Sequence, residues 1–278
     1  MAHRISVLTD EISGDFEAAL RFAAEEDLDT VDVRSVGGVN FLSLGPDGQK
    51  AVARRIRDAG LKVGCLATPL LKWPAPGRAA ADMGDQFGFD PAGRTVGELY
   101  EDAFRAAELL GTRNLRIFSL LRYDGFRLDD LGAEYDALLR LAERHDATLH
   151  VENEPVCNIA TVPELTALMR RWNHARLRAL LDVPNSWSAG SETTDAEILA
   201  VMPYVDQIHF KDRSRTRGRT VALGEGDIPF ARQLPLCFRA AGGRVLTLVI
   251  ETHVPDDQPG ATRRSLAALR ALAAAADI

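Results

Sequence analysis

The sequence predicts an α/β fold, a single (β/α)8 TIM barrel spanning residues 1–278, on three observations. Short β-branched and aliphatic runs alternate with longer stretches of helical period, the alternation repeats eight times, and no Ser/Pro-rich linker separates two halves. An open doubly wound sheet is the structural alternative. The turn after the first apolar run reads TDEISGDF rather than Gly-x-Gly-x-x-Gly, however, so a dinucleotide site has no support.

The eight strands are read as RISVLT from Arg4, TVDVRS from Thr30, KVGCLA from Lys62, NLRIFS from Asn114, TLHVEN from Thr148, RALLDV from Arg178, VDQIHF from Val205 and LTLVIE from Leu246. Each is short and mostly apolar, as strands buried on both faces are. Helices are expected at about 15–26, 46–59, 95–110, 134–144, 162–173, 195–201, 229–241 and 261–274. Three of them open on Thr-x-x-Glu, at Thr95/Glu98, Thr161/Glu164 and Thr194/Glu197. In that box hydroxyl and carboxylate satisfy free backbone amides reciprocally. Two connections are long, about 69–94 after the third strand and about 211–230 after the seventh. Both leave the C-terminal rim, where such loops build and cover active sites.

Composition narrows the function classes. With 46% hydrophobic and 26% charged residues, the chain has material for a large core, which excludes disorder. Lys and Arg total 33 against 40 Asp and Glu, a net charge of −7 that opposes general attraction to nucleic acid or anionic lipid. Cys65, Cys157 and Cys237 are too scattered, and odd in number, for a disulfide framework or Cys-rich zinc module, which points to a reducing cytoplasm. No apolar run approaches the ~18 residues of a membrane span, and Asp10 and Glu11 interrupt the N-terminus before a signal peptide develops.

The most informative residues are polar ones ending apolar strands. Glu152 ends LHVE, Asp182 ends ALLD, His209 ends DQIH and Glu251 ends LVIE. They are 30, 27 and 42 residues apart, close to one β/α unit except where the loop after strand seven intervenes. Three carboxylates converging at a barrel mouth would repel, and a divalent cation resolves the conflict. Three carboxylates and an imidazole suit Mn²⁺, Co²⁺, Mg²⁺ or Zn²⁺, the oxygen-rich set favouring Mn²⁺ or Mg²⁺. The bland reading, that strand ends are polar where they meet water, explains one such residue better than four in consecutive units.

These elements resemble the xylose-isomerase-like barrel superfamily, specifically the sugar phosphate isomerase/epimerase group of ketose 3-epimerases, hydroxypyruvate isomerase and inosose dehydratase. The resemblance lies in VEN with Glu152, LLDVPN with Asp182, IHFKD with His209, LGEGDIPF, and IETH with Glu251. It implies one divalent metal on Glu152, Asp182, His209 and Glu251, with Glu152 and Glu251 as an acid/base pair on opposite faces of the substrate. A metal on a carbonyl and its neighbouring hydroxyl stabilises an enediolate, and two opposed carboxylates can remove a proton and return one to the other face. Two positions depart from the pattern: Asn185 stands where many relatives have His, and Arg34 where many have an acidic residue.

Secondary candidates follow from position. His253, two after Glu251, and Lys211, two after His209, would face the mouth, as substrate contacts or, for Lys211, as an oxyanion stabiliser. Asn185 is a further contact, and Lys72 with Trp73 in the third loop offers a cation and an apolar plate for a sugar. Asn153 is a donor candidate, while Glu154 before Pro155 reads as structural. Lys211, Arg213, Arg215, Arg217 and Arg219 place five cations at alternating positions, a solvated run or an anion site. His150 reads as a barrel-interior core residue, His145 and His174 as helix C-terminal residues, and His3 as terminal.

The expectation is therefore a metal-dependent isomerase or epimerase of a sugar, keto-sugar or related polyol, acting on a small carbohydrate, with no nucleic-acid or membrane partner. The close alternative is a metal-dependent lyase, a dehydratase or β-eliminase of a keto-cyclitol or 3-keto-glycoside. An abasic-site endonuclease and a non-catalytic sugar-binding protein stand further off. A homo-oligomer is expected by family analogy alone.

Overall fold

A computed structural model of the chain describes residues 3–276. Eight parallel strands form the central sheet: β1 Arg4–Val7, β2 Thr30–Val33, β3 Lys62–Ala67, β4 Asn114–Ile117, β5 Thr148–Glu152, β6 Leu177–Asp182, β7 Val205–Phe210 and β8 Thr247–Ile250. They pair in the order β2-β3-β4-β5-β6-β7-β8-β1. The first strand meets the last in register, Arg4 opposite Thr247 through Val7 opposite Ile250. One further parallel bridge, Leu8 to Asp32, brings β1 against β2 and closes the ring. The fold is a (β/α)8 TIM barrel; an open doubly wound sheet would leave its end strands apart.

Nine helices surround it among the described residues: α1 Phe16–Glu25, α2 Pro46–Asp58, α3 Val96–Leu110, α4 Gly132–Arg144, α5 Val162–Trp172, α6 Val183–Ser188, α7 Asp195–Val201, α8 Phe230–Ala241 and α9 Gln258–Ala275. All three capping boxes form, and they start α3, α5 and α7. Helix α6 departs from the expectation. The Asp182 carboxylate accepts a bond from the Asn185 amide, so the residue that ends β6 also caps a short helix begun by Pro184 near its first turn. Two small hairpins also depart from it: Ser35–Val36 pairs with Val39–Asn40 after β2, and Asp212–Ser214 pairs with Arg219–Val221 within the loop after β7.

The main apolar core lies between strands and helices, where Val31, Ile117, Val151, Leu181 and Ile250 join Leu20, Phe104, Leu138 and Leu266 in one cluster. Leu8, Ala67 and Val249 form a separate small cluster. Polar side chains are buried beside them. Asp32 accepts bonds from Ser6 Oγ at 2.7 Å, Gln207 Nε2 at 2.7 Å and the Cys65 amide at 3.2 Å, a buried polar layer spanning β1, β2, β3 and β7. Most hydrophobic stabilisation thus comes from the strand–helix layer, leaving the strand ends to carry polar chemistry. No helix among the described residues is long and apolar enough to cross a membrane.

Candidate functional site

The ladder itself assembles the site. Asp182 at the end of β6 stands opposite His209 on β7, and the Glu251 amide, one residue beyond β8, donates to the Phe210 carbonyl at 3.0 Å. Glu152 ends β5. The four side chains are fully buried, and one donor atom from each lies within 4.8 Å of the others. His209 Nδ1 is 3.2 Å from Glu152 Oε1, 3.2 Å from Glu251 Oε2 and 4.0 Å from Asp182 Oδ2. An ion holding its donors at about 2.0–2.2 Å spaces adjacent donors roughly 3–3.5 Å apart and opposed ones about 4 Å. The donor set therefore fits a divalent cation in both chemistry and spacing.

Cations interleave with these carboxylates. Lys211 Nζ lies between Asp182 and Glu251, 2.8 Å from Glu251 Oε2. Arg116, projecting from β4, brings Nη1 to 3.1 Å from Glu152 Oε2. Arg34, just beyond β2, is wholly buried and uses every nitrogen: Nη1 on Glu251 at 2.6 Å, Nη2 on Glu11 at 2.5 Å, Nε on Asp10 at 2.8 Å. Burial pushes the Glu152 carboxyl up, but the neighbouring His209 and Arg116 outweigh it and hold the group at about 2. Glu251 is likewise driven well below the carboxylate range: burial opposes ionisation, while Lys211, His253 and His209 favour it. Both glutamates are ionised across the physiological range. The same pairing acts in reverse on His209, where burial disfavours the imidazolium but Glu152 and Glu251 raise it to about 9. Burial lifts Asp182 to about 6 despite Lys211, because Glu152 and Glu251 repel its charge.

Of the secondary candidates, Asn185, Lys211, His253 and Lys72 gather at this cluster. Asn185 Nδ2 donates to the Asn153 carbonyl at 3.0 Å and reaches Glu152 Oε1 at 3.5 Å. His253 Nε2 is 3.2 Å from Glu251 Oε1, and its amide donates to Glu11 Oε2 at 2.8 Å. Lys72 Nζ is 3.6 Å from Glu154. Trp73 does not join them. Its ring stacks with Phe89 and Tyr100, 6.4 Å from each. Asn153 is also committed elsewhere: its amide donates to the carbonyls of Asp182 and Ala160 and its oxygen accepts from the Asp182 amide, locking β5 to β6. His150 is buried against Asn114, and burial lowers it to about 4.

The run of cations after β7 does not converge. Folded into the hairpin, Arg213 donates to Ser188, Arg215 pairs with Glu192 at 2.5 Å, and Arg217 and Arg219 point to Glu225 and Asp256 at 3.8 and 3.9 Å. Only Lys211 turns inward. Arg116, Asp10 and Glu11 join the site without being singled out by the sequence pattern, and Arg34 stands out there only as a departure; charged residues inside or just beyond otherwise apolar strands are the signal for them.

Above the cluster lie two adjoining chambers. An inner one of about 140 Å³ is lined by Lys72, Arg116, Asn185, Lys211, Glu251 and His253 among others. An outer one of about 570 Å³ is lined by Asp10, Glu11, Arg34, Ser35 and Gln258 among others. Asp85, Phe87 and His253 border both. Phe87, from the loop after β3, covers the Arg34 guanidinium at 3.6 Å and meets His253 edge-on at 6.2 Å. The neighbouring Gly88 holds that loop down: its carbonyl accepts from Asn40, and a Cβ there would come within 2.0 Å of the Gly38 carbonyl.

The xylose isomerase-like TIM barrel family model matches residues 20–272. The chain belongs to that family. No curated protein matches the sequence. Among solved structures it is similar to the IOLI protein with a bound zinc atom, at 13% identity and TM-score 0.73 over 97% of each chain. It is similar to D-psicose 3-epimerase with D-tagatose from Clostridium cellulolyticum H10, at 12% identity and TM-score 0.68 over 98% of each chain. It is also similar to the probable 3-DHS dehydratase AsbF from Bacillus anthracis, at 15% identity and TM-score 0.68, covering 97% of this chain and 98% of that one.

Proposed function

We propose that this protein is a divalent-metal-dependent isomerase or epimerase of a sugar, keto-sugar or related polyol derivative. One observation carries the reading: Glu152 and Glu251, both ionised, approach the same His209 nitrogen at 3.2 Å from strands on different sides of the mouth. A divalent ion on Glu152, Asp182, His209 and Glu251, Mn²⁺ by preference with Mg²⁺, Co²⁺ and Zn²⁺ suiting the same donors, would supply the charge that acidifies a carbon beside a carbonyl.

The chain's own residues supply the rest. One glutamate takes the proton from that carbon and its counterpart returns one to the opposite face. Lys211, held cationic by Asp182 and Glu251, stabilises negative charge developing on oxygen. Asn185, His253 and Lys72 line the inner chamber as donors for substrate hydroxyls. Arg116 and Arg34 act as positioning residues, each fixing one of the two glutamates.

The test is metal content of the purified protein together with NMR-detected deuterium exchange of candidate ketoses in D₂O. Exchange beside the carbonyl, lost in Glu152→Gln and in Glu251→Gln, is expected; retention of exchange in either variant overturns the pairing. His253 favours a lyase as the second reading, because it sits 3.2 Å from Glu251 and, held cationic against burial by Glu11 and Glu251, can hand a proton to a departing hydroxyl. Loss of water from the product mass identifies that outcome.

A further inference from the structure

The two chambers differ in what they offer a ligand. A ketose whose carbonyl end reaches the four-residue cluster through the inner chamber, about 140 Å³, has its far end in the outer one, about 570 Å³. That outer wall carries the carboxylates of Asp10, Glu11 and Asp85. Against them stand two basic side chains, both already paired with carboxylates. Arg34 spends all three nitrogens on Asp10, Glu11 and Glu251 at 2.5–2.8 Å, and its face is covered by Phe87. His253 lies 3.2 Å from Glu251 and 3.9 Å from Glu11.

A phosphate or carboxylate group wants a guanidinium fork or backbone amides with unspent hydrogens. The arginines that sequence position offered for this role, Arg213, Arg215, Arg217 and Arg219, lie on the hairpin with their own partners. Neutral hydroxyls, by contrast, can donate to Asp10 and Glu11 and pack on the Phe87 ring. Asp85, exposed where the two chambers meet, is an acceptor open to such a hydroxyl.

Resting on the proton-transfer reading above, we propose that the site takes an uncharged polyhydroxy ketone, its far hydroxyls on the acidic wall of the outer chamber, and rejects the terminal phosphate ester of the same sugar by charge repulsion. The repulsion is long-range and partly solvent-exposed, so salt weakens it; a merely steric exclusion is indifferent to salt.

The experiment compares a panel of ketopentoses and ketohexoses, D-fructose included, with their terminal phosphate esters on the metal-loaded protein, at about 0.01 and 0.15 M ionic strength. Deuterium exchange gives kcat/KM and calorimetry gives Kd. The neutral sugar is expected to be favoured at least 10-fold, with the gap narrowing several-fold at the higher salt. Asp85→Asn keeps the acceptor for the Phe87 amide, 2.6 Å away, while removing one charge. It should narrow the gap as well, and Val254→Lys, at the same rim, should narrow it further. An ester handled as well as its parent sugar overturns the inference and leaves proton transfer standing. So does a gap that neither salt nor Asp85→Asn moves. If no sugar exchanges hydrogen at all, the proton-transfer reading fails, and this inference fails with it.

Discussion

Replacing Asp32 with Asn tests how the polar interior beneath the cluster is balanced. The Asp32 carboxylate is completely buried and accepts three hydrogen bonds, from Ser6, Cys65 and Gln207. Burial nevertheless dominates: it pushes the carboxyl from 3.8 to about 6, with the hydrogen bonds and the charge on His209 recovering only part of the loss. A folded-state value above the unfolded one means that the acid form favours folding. This contribution is fully present below about 4 and is lost as pH rises through about 6. Each unit corresponds to about 1.4 kcal/mol, so the ionised group costs the native state roughly 3 kcal/mol near pH 8. Asn keeps the acceptor facing Ser6 and Cys65, while Gln207 must turn its amide to bond the new NH₂, a rearrangement worth about 1 kcal/mol. The net expectation is that Asp32→Asn is more stable than the parent by about 2 kcal/mol at pH 8 and indistinguishable from it at pH 4–5. Urea unfolding at a series of pH values measures the difference directly. A variant less stable than the parent at pH 8, or a difference that does not vary with pH, would show that the hydrogen bonds and not the buried charge control this layer.

Metal binding should displace a proton. His209 sits at about 9 without a cation and must be neutral to ligate, so apparent affinity should tighten as pH rises from 6 toward 9, and calorimetry in buffers of different ionisation enthalpy should show proton release. In Arg116→Met, Glu152 loses the guanidinium 3.1 Å away; the acid limb of the pH–rate profile should move upward while the fold persists. Gly226→Ala should destabilise the protein by more than about 2 kcal/mol in the same urea assay, because the new Cβ would fall 2.2 Å from Asp212 Oδ1, whose carboxylate ties together the amides of Gly224 and Ile228. Phe87→Ala should merge the two chambers; a rise in KM exceeding any change in kcat is expected, and unchanged kinetics would remove Phe87 from the site.

Much of this architecture was legible in the chain because the signals are local. Apolar runs mark each barrel strand, and Thr95, Thr161 and Thr194 mark three helix starts through contacts spanning three residues. The four candidate ligands were legible because each interrupts an apolar strand at its end. What local pattern does not carry is pairing at a distance. Arg34 and Glu251 are 217 positions apart and meet only once the ring closes, so Arg34 reads in sequence as an oddity and in space as the partner of three carboxylates. The alternating arginines after β7 misled for a related reason. A two-residue period puts them on one side of a strand, but the hairpin folds the segment on itself and delivers its members to separate acidic neighbours. Helix α6 was hidden because Asp182 serves as both strand end and helix cap.

The seam between β1 and β2, held in the ladder by the single Leu8–Asp32 bridge, gives the ring a natural point of opening. Across it runs the Arg34 cluster, joining Glu11 beside β1, Arg34 beside β2 and Glu251 beside β8. Along its length β1 pairs with β8, which follows it far along the sequence, so that edge of β1 stays open until β8 is in place. The ionic clasp is then the last piece to fasten. A protease acting before the ring shuts would find its target along that open edge.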